Sequence, residues 1–215
     1  MFEDLMPVSL AAYTVDALAV GPLVPASVRS LGDFLKWCKA NPAQANFGSP
    51  GAGSILHFIG ALLAKGAGVE LRHVQYRGSQ PAVADMLGGQ IAAVSVPIGD
   101  MMRHMDGGRA RVLATTGRTR SRFAPDVPTF AEQGFKSLVV EQWMAFFMPA
   151  RTPEALIVQT SEALRDALAS RSVSDAFAVF GMEPASSTPA ELAKLLRTDY
   201  ERWGAVVKET GFKFD

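Results

Sequence analysis

Asn46-Phe47-Gly48-Ser49-Pro50-Gly51-Ala52-Gly53-Ser54, followed by Ile55, Phe58, Ile59, Leu62 and Leu63, is the stretch whose reading decides the fold. The apolar entry predicts a short strand, Pro50 and the glycines break it into a turn, and the spacing of the apolar residues beyond Ser54 predicts a helix. The arrangement recurs immediately downstream. A strand over 71–76 leads into the turn Arg77-Gly78-Ser79, and a helix opens at Gln80-Pro81 and runs through Val83, Met86 and Leu87 to Gly88-Gly89. Pro81 falls in the first turn, where a helix tolerates proline.

Working outward, the near-continuous apolar run 91–96 predicts a strand covered on both faces. A short helix over 100–105 ends at Gly107-Gly108, and 111–115 is another strand. Helices alternating with strands predict a parallel α/β sheet rather than a sandwich. Upstream, 7–20 reads as two short strands around Tyr13-Thr14-Val15-Asp16, with Val8, Leu10, Leu18 and Val20 alternating. Ser30 caps a helix with Asp33 three residues on, and its stripe Leu31, Phe34, Leu35 and Cys38 carries the cysteine inward as packing.

Downstream, the polar segment 118–134 reads as a loop with a short helix over 129–133, and Arg118, Arg120 and Arg122 as a solvated surface. A second extended run over 139–148, containing Trp143, Phe146 and Phe147, ends at Pro149. The pattern beyond it reads as wholly helical. Thr152 caps a helix with Pro153 at its first position, a shorter helix over 173–180 is closed by Gly181, and Thr188-Pro189-Ala190-Glu191 is a capping box with the last helix ending at Gly211. The composition shift near Pro149 marks a boundary.

A chain of 215 residues with 48% apolar residues is one to two domains long and buries roughly 70% of its unfolded surface. Lys plus Arg is 21 and Asp plus Glu is 21, so no overall field holds a polyanion, and nucleic acid is excluded as the main partner. The single cysteine excludes an internal disulfide and a Cys-based zinc cage. No apolar run reaches the length, about eighteen residues, that a membrane-spanning helix needs. Met1-Phe2-Glu3-Asp4-Leu5 has no basic region, apolar core or cleavage site, so no signal peptide is expected in this sequence.

Each strand, turn and helix unit leaves unpaired N–H groups at a helix N-terminus, aimed out of the carboxyl end of a strand. Such a place binds anions without a lysine or arginine. Two of them in one sheet flank a shared crevice. Ser49, Ser54 and Ser79 add hydroxyl donors suited to a carboxylate, with Ser54 and Ser79 as ordinary helix caps in the alternative reading. The first turn lacks the Gly-Lys-Ser/Thr ending of a phosphate loop, and Gly51-Ala52-Gly53 lacks a third glycine at the dinucleotide spacing. His57, His73 and His104 share no metal-ligand spacing, and His57 adjoins an apolar stripe, which favours a structural role. Gly48-Ser49 fails as a nucleophile elbow because Ala52 stands where glycine is required. No carboxylate pair sits where two turns converge. No catalytic residue, metal ligand or cofactor is predicted.

The chain resembles the Bug (TctC) family of extracytoplasmic solute receptors, which serve tripartite tricarboxylate transporters. The matching residues are Pro7-Val8-Ser9-Leu10, the glycine-rich stretch from Asn46 onward, Val74-Gln75-Tyr76-Arg77-Gly78, Leu87-Gly88-Gly89-Gln90, Pro125-Asp126-Val127-Pro128-Thr129 and Glu132-Gln133-Gly134, followed by 149–153. They recur in the family's order over essentially the whole chain. The resemblance implies an α/β fold, periplasmic-binding-protein-like type II, with one complete lobe built on a parallel-type sheet plus the C-terminal helices of an incomplete second lobe. Residues 1–12 are then the first crossing strand and lobe-one remnant, 13–140 the ligand-binding lobe, 141–149 the second crossing strand, and 150–215 the C-terminal helices of lobe one. A full family member begins with a signal peptide and the first half of lobe one, whereas this chain starts just before the first crossing strand. The resemblance therefore implies N-terminal truncation, with apolar stripes that have lost their sheet.

By the same resemblance, a small organic carboxylate is held between lobes through backbone groups, hydroxyls and waters, the membrane components of a tripartite transporter are partners, and the location is periplasmic. The candidate ligand-binding residues are Ser49, Gly51, Gly53 and Ser54 from the first turn and Tyr76, Gly78, Ser79 and Ala82 from the second unit. Many relatives carry an acidic residue after the strand 91–95, where this sequence has Val96, so a plain dicarboxylate is expected over an amino acid. Two other readings stay open: a cytosolic effector-sensing domain of the same fold, and a non-binding remnant that self-associates through exposed apolar stripes.

Overall fold

The computed structural model describes residues 4–105 and 108–213. In chain order the first half runs β1 (Leu5–Thr14), β2 (Asp16–Val20), α1 (Leu31–Ala40), β3 (Asn46–Ser49), α2 (Ile55–Ala67), β4 (Arg72–Gln75), α3 (Ser79–Leu87), β5 (Ala93–Pro97) and α4 (Ile98–Met105). The second half runs β6 (Arg111–Thr115), a 3-10 turn (Lys136–Leu138), β7 (Gln142–Pro149), α5 (Glu154–Leu168), α6 (Arg171–Ala178), β8 (Met182–Pro184) and α7 (Pro189–Thr210). Contacts divide these elements into two units, one made of Met1–Thr14 with Gln142–Gly211, the other of Val15–Glu141 with Phe212–Asp215.

The larger unit is a five-stranded sheet in the order β4-β3-β5-β2-β6. Strands β4, β3 and β5 pair in parallel, while β2 runs antiparallel to both β5 and β6. The sheet is thus parallel apart from β2. Alternation of helices and strands carries no information on β2, because it precedes the first crossover helix. All of β2 is buried, as expected for an interior strand paired on both sides. Ala17, Ala19, Val94 and Val96 of the sheet pack against Ala82, Val83 and Met86 of α3 and Ile98 and Met101 of α4. The ladder between β3 and β5 is short, and Asn46 extends it by accepting the Ala92 N–H with its side-chain oxygen at 2.8 Å.

Helix starts follow local chemistry. Ser30 caps α1 by accepting the Asp33 N–H at 3.1 Å, and Thr188 and Glu191 close a reciprocal box at the start of α7. Cys38 is buried on the α1 stripe, and desolvation pushes its thiol up to about 12, so it stays protonated as packing. In the smaller unit, β7, β1 and β8 form an antiparallel sheet. Helices α5 and α7 pack on β1, and α6 packs on β8. Ser9 Oγ accepts the Ser187 N–H and Ser187 Oγ accepts the Leu10 N–H, each at 3.1 Å, which ties the chain before α7 to β1. Leu156 and Val158 of α5 are exposed, and Val179 and Phe180 beyond α6 are 71% and 62% exposed.

Three local expectations change. The region beyond Pro149 is not wholly helical, because β8 adds to β1, and three residues are too few to show an alternating pattern. Residues 129–133 form a turn rather than a helix. Thr129 and Glu132 make both bonds of a capping box, but Thr129 is pinned beside Thr115 of β6 and Gly134 turns the chain away with φ +96°. Thr152 does not cap α5. Its hydroxyl donates to the Pro149 carbonyl at 2.8 Å to close the turn after β7, and Pro153 takes the cap position. Helix α4 reaches Met105, while Gly107 lies outside the described residues, as do the first three residues of the N-terminal segment.

Gly21 follows β2 where the chain passes the end of α3, and a Cβ there would run into the backbone carbonyl of Met86, which no rotamer change relieves. Gly204 lies inside α7 with open space around it. Gly21→Ala is expected to lower unfolding free energy by about 1–3 kcal/mol, and Gly204→Ala to raise it by about 0.5–1 kcal/mol; thermal and denaturant melts of the two variants check both signs.

Candidate functional site

Strands β3 and β4 lie side by side in parallel, with Ser49 opposite Gln75, so the two Gly/Ser turns leave the same edge of the sheet. The Tyr76 N–H donates to the Ser49 carbonyl at 3.0 Å and carries the pairing one residue past β4. The close approach of the two units depends on Gly48, since a Cβ there would lie 2.8 Å from Ile91, 2.9 Å from the Tyr76 ring and 3.2 Å from Ala82. The Tyr76 hydroxyl donates to Asp85 of α3 at 2.7 Å, and burial together with that bond pushes its pKa up to about 12. The phenol is therefore committed to α3 as a neutral donor.

The first turn is closed by its own helix. Ser54 caps α2, accepting the His57 N–H at 3.2 Å and donating to the Gly51 carbonyl at 2.7 Å. His57 reaches back so that its Nδ1 accepts the Gly53 N–H at 3.0 Å. That bond requires an unprotonated Nδ1 and so places the ring proton on Nε2. His73 of β4 stacks on His57 with ring centroids 4.0 Å apart, and its Nε2 lies 2.8 Å from Ser49 Oγ. Phe47, Phe58 and Phe212 surround the pair. Burial lowers the pKa of His57, and burial followed by the charge of His57 lowers that of His73 to about 4. Both rings are neutral near pH 7. Ser49 is 0% exposed, and its histidine is too weak a base, so this contact supports the turn and does not present a nucleophile.

The second turn is left open. Gly78, at φ +104°, is the N-cap of α3, and no side chain caps that helix. Ser79 is the first helical residue rather than the cap. Ala82 is 0% exposed, with its methyl group in the core beneath Gly48. The structure thus brings Ser49, Gly51, Gly53, Ser54, Tyr76, Gly78 and Ser79 to one sheet edge and places the Ala82 side chain in the core. The Gly53 amide, expected to be a free donor, is taken by His57. Sequence reading missed His57 and His73 as braces of the turn. The local signal was present for His57, because Ser54-x-x-His57 has the spacing of a capping box with imidazole in the place of Glu or Gln. No cluster of three metal-ligating side chains occurs among the described residues, and no described helix is long and apolar enough to cross a membrane.

His73 gives a test of this geometry. Its folded pKa of about 4 lies below the ordinary 6.5, so on acidification the unfolded chain takes up a proton that the folded chain excludes. The resulting stability is fully present above pH 6.5 and is lost as the pH falls through about 4. Denaturant unfolding measured across this window is expected to lose less stability in His73→Gln than in the parent chain; equal losses would remove the buried neutral imidazole.

With this geometry in hand, the likeness to known proteins is specific. The model of the tripartite tricarboxylate transporter family receptor matches residues 1–212. The chain is 34% identical over 213 residues to BugT of Bordetella pertussis, covering 99% of this chain and 65% of that protein. A solved periplasmic transporter superposes with a TM-score of 0.89 at 34% identity, covering 99% of this chain and 70% of its own. Rpa4515 of R. palustris, solved with adipate, superposes with a TM-score of 0.88 at 25% identity, covering 98% and 70%. The chain spans about 65% of the length of BugT. The match over nearly every residue, on the same α/β periplasmic-binding-protein fold, means that the chain belongs to the family of tripartite tricarboxylate transporter receptors.

Proposed function

We propose that this chain is a solute receptor that binds a small organic dicarboxylate at the two turns spanning 49–54 and 76–79, for delivery to the membrane components of a tripartite transporter from the periplasmic side. The observation that carries this reading is a pattern of charge. Helices α1, α4, α5 and α7 each carry Asp or Glu in the first turn, the usual complement to a helix dipole. Helices α2 and α3, whose N-termini stand at the site, carry none. Helix α6 also lacks one, but it belongs to the other unit. At the site two helices start without an acidic residue of their own, and Asp100 of α4, which reaches the first turn of α3, accepts from Gln80 Nε2 at 2.9 Å, so the backbone N–H groups are left for a ligand.

The adipate held by Rpa4515 is a ligand of this class in a related protein. A plain dicarboxylate fits better than an amino acid because Val96 is fully buried, and so is Asp16, which faces Pro97 across the ladder at the same edge. Binding here needs orientation and desolvation of an anion and no bond-making group, so no catalytic step is assigned. A second reading, self-association, is favoured by the exposed Val179 and Phe180; sedimentation of the chain with Phe180→Ser separates the two, since a receptor that is monomeric in both forms leaves no role for that surface.

Calorimetric titration of adipate and succinate tests the site. Ser79→Ala is expected to weaken adipate binding about tenfold or more, the effect of losing a hydrogen bond to a charged group. Gly78→Val is expected to weaken it further, because a β-branched residue resists the φ of +104° found there. Unchanged affinity in both variants removes the site.

A further inference from the structure

We propose that His57 is a positioning residue for the anion site: it closes the turn at Gly53 as an uncharged acceptor where an acidic side chain would otherwise do so, and so leaves the N-terminus of α2 free of competing negative charge. The inference rests on the carboxylate reading above and adds a specific role to a residue that the ligand need not touch.

Three other places use the same local device, a hydroxyl residue followed three positions later by a side chain that reaches back to a backbone amide. Ser30 is followed by Asp33, which accepts the Arg29 N–H at 3.4 Å. Thr129 is followed by Glu132, which accepts the Thr129 N–H at 2.7 Å. Thr188 is followed by Glu191, which accepts the Thr188 N–H at 2.8 Å. All three acceptors are carboxylates, the choice favoured both by hydrogen bonding and by the helix dipole.

At Ser54 the same spacing carries imidazole, and the same two bonds are made: Ser54 Oγ accepts the His57 N–H, and His57 Nδ1 accepts the Gly53 N–H. Geometry alone does not call for the change, since Asp33 reaches the equivalent amide, one residue before its own cap. What differs is charge together with burial: the three carboxylates face solvent, whereas the His57 ring is packed among aromatic rings. The sequence from Asn41 to Val69 contains no Asp or Glu at all, and the surroundings of the His57 ring are built to keep it neutral. His73 of β4 covers one face, Phe47 and Phe58 lie against the pair, and the edge of Phe212 completes the enclosure. Burial in that cluster disfavours an imidazolium. A formal positive charge would also break the Gly53 bond, because a protonated Nδ1 cannot accept. The neutral ring satisfies the amide, holds Gly53 at its φ of +76°, and leaves the remaining N–H groups of the helix start to face an anion unopposed.

Glu and Gln at position 57 are matched in size, and both serve the capping-box position, so they separate charge from closure. In His57→Gln, adipate affinity at neutral pH is expected to stay within about threefold of the parent. In His57→Glu, it is expected to fall about tenfold or more, from like charges a few ångströms apart. Equal affinities for Glu and Gln overturn the proposal. Amide exchange and imidazole nitrogen shifts measured by NMR on the parent chain give a ligand-free arm. A protected Gly53 amide beside an unprotonated His57 Nδ1 supports the closure, and a fast-exchanging Gly53 amide overturns it. If the parent chain takes up no adipate, the carboxylate reading falls by itself, and closure by His57 is decided by the Gly53 amide.

Discussion

Unpaired amide groups at the starts of α2 and α3 are the constraint around which the larger unit is organised. A helix begins with N–H groups that have no partner of their own, and α1 and α7 relieve that with a hydroxyl cap and a nearby carboxylate. Strands β3 and β4 are parallel neighbours, so they deliver two such starts to one edge of the sheet. Gly48 lets Tyr76, Ile91 and Ala82 close beneath them. Packing and polarity are coupled here: the apolar layer fixes where the amides stand, and the absence of acidic residues in both first turns determines what they attract.

The two turns solve the problem differently. The first is rigid, with Ser54 and His57 taking two amides and His73 holding Ser49 from below. The second is capped by Gly78 without any side-chain acceptor. One turn is thus braced by side chains and the other left open. The stacked histidines contribute polar atoms that hold the turn without adding charge. Removing water from them is what makes this stable, since burial favours their neutral forms.

Much of the fold was legible because its signals are local. The caps at Ser30, Ser54 and Thr188, the stripe that buries Cys38, and the two strand, turn and helix units each depend on residues within a turn or two of one another. The anion site proposed at Ser49, Gly51, Gly53 and Ser54, and at Gly78 and Ser79, was read from signals of the same local kind. Local reading failed where a distant partner overrode it. Thr129 and Glu132 form the bonds of a helix start, yet pairing with Thr115 holds the segment as a turn. Thr152 has a cap sequence, but its hydroxyl is drawn to Pro149. Strand β8 exists because β1 has an edge to pair with, which three residues of sequence do not announce.

The sequence by itself determined the units, their helix starts and the lack of negative charge near them, because capping, periodicity and charge act over a few residues. Only the tertiary structure decided that β2 runs against its neighbours, that His73 meets Ser49 across 24 positions and stacks on His57, and that Tyr76 is committed to Asp85. The physical reason is the same in each case. A donor or a ring is satisfied by whichever partner packing brings within reach, and packing is a property of the whole sheet rather than of any segment in it.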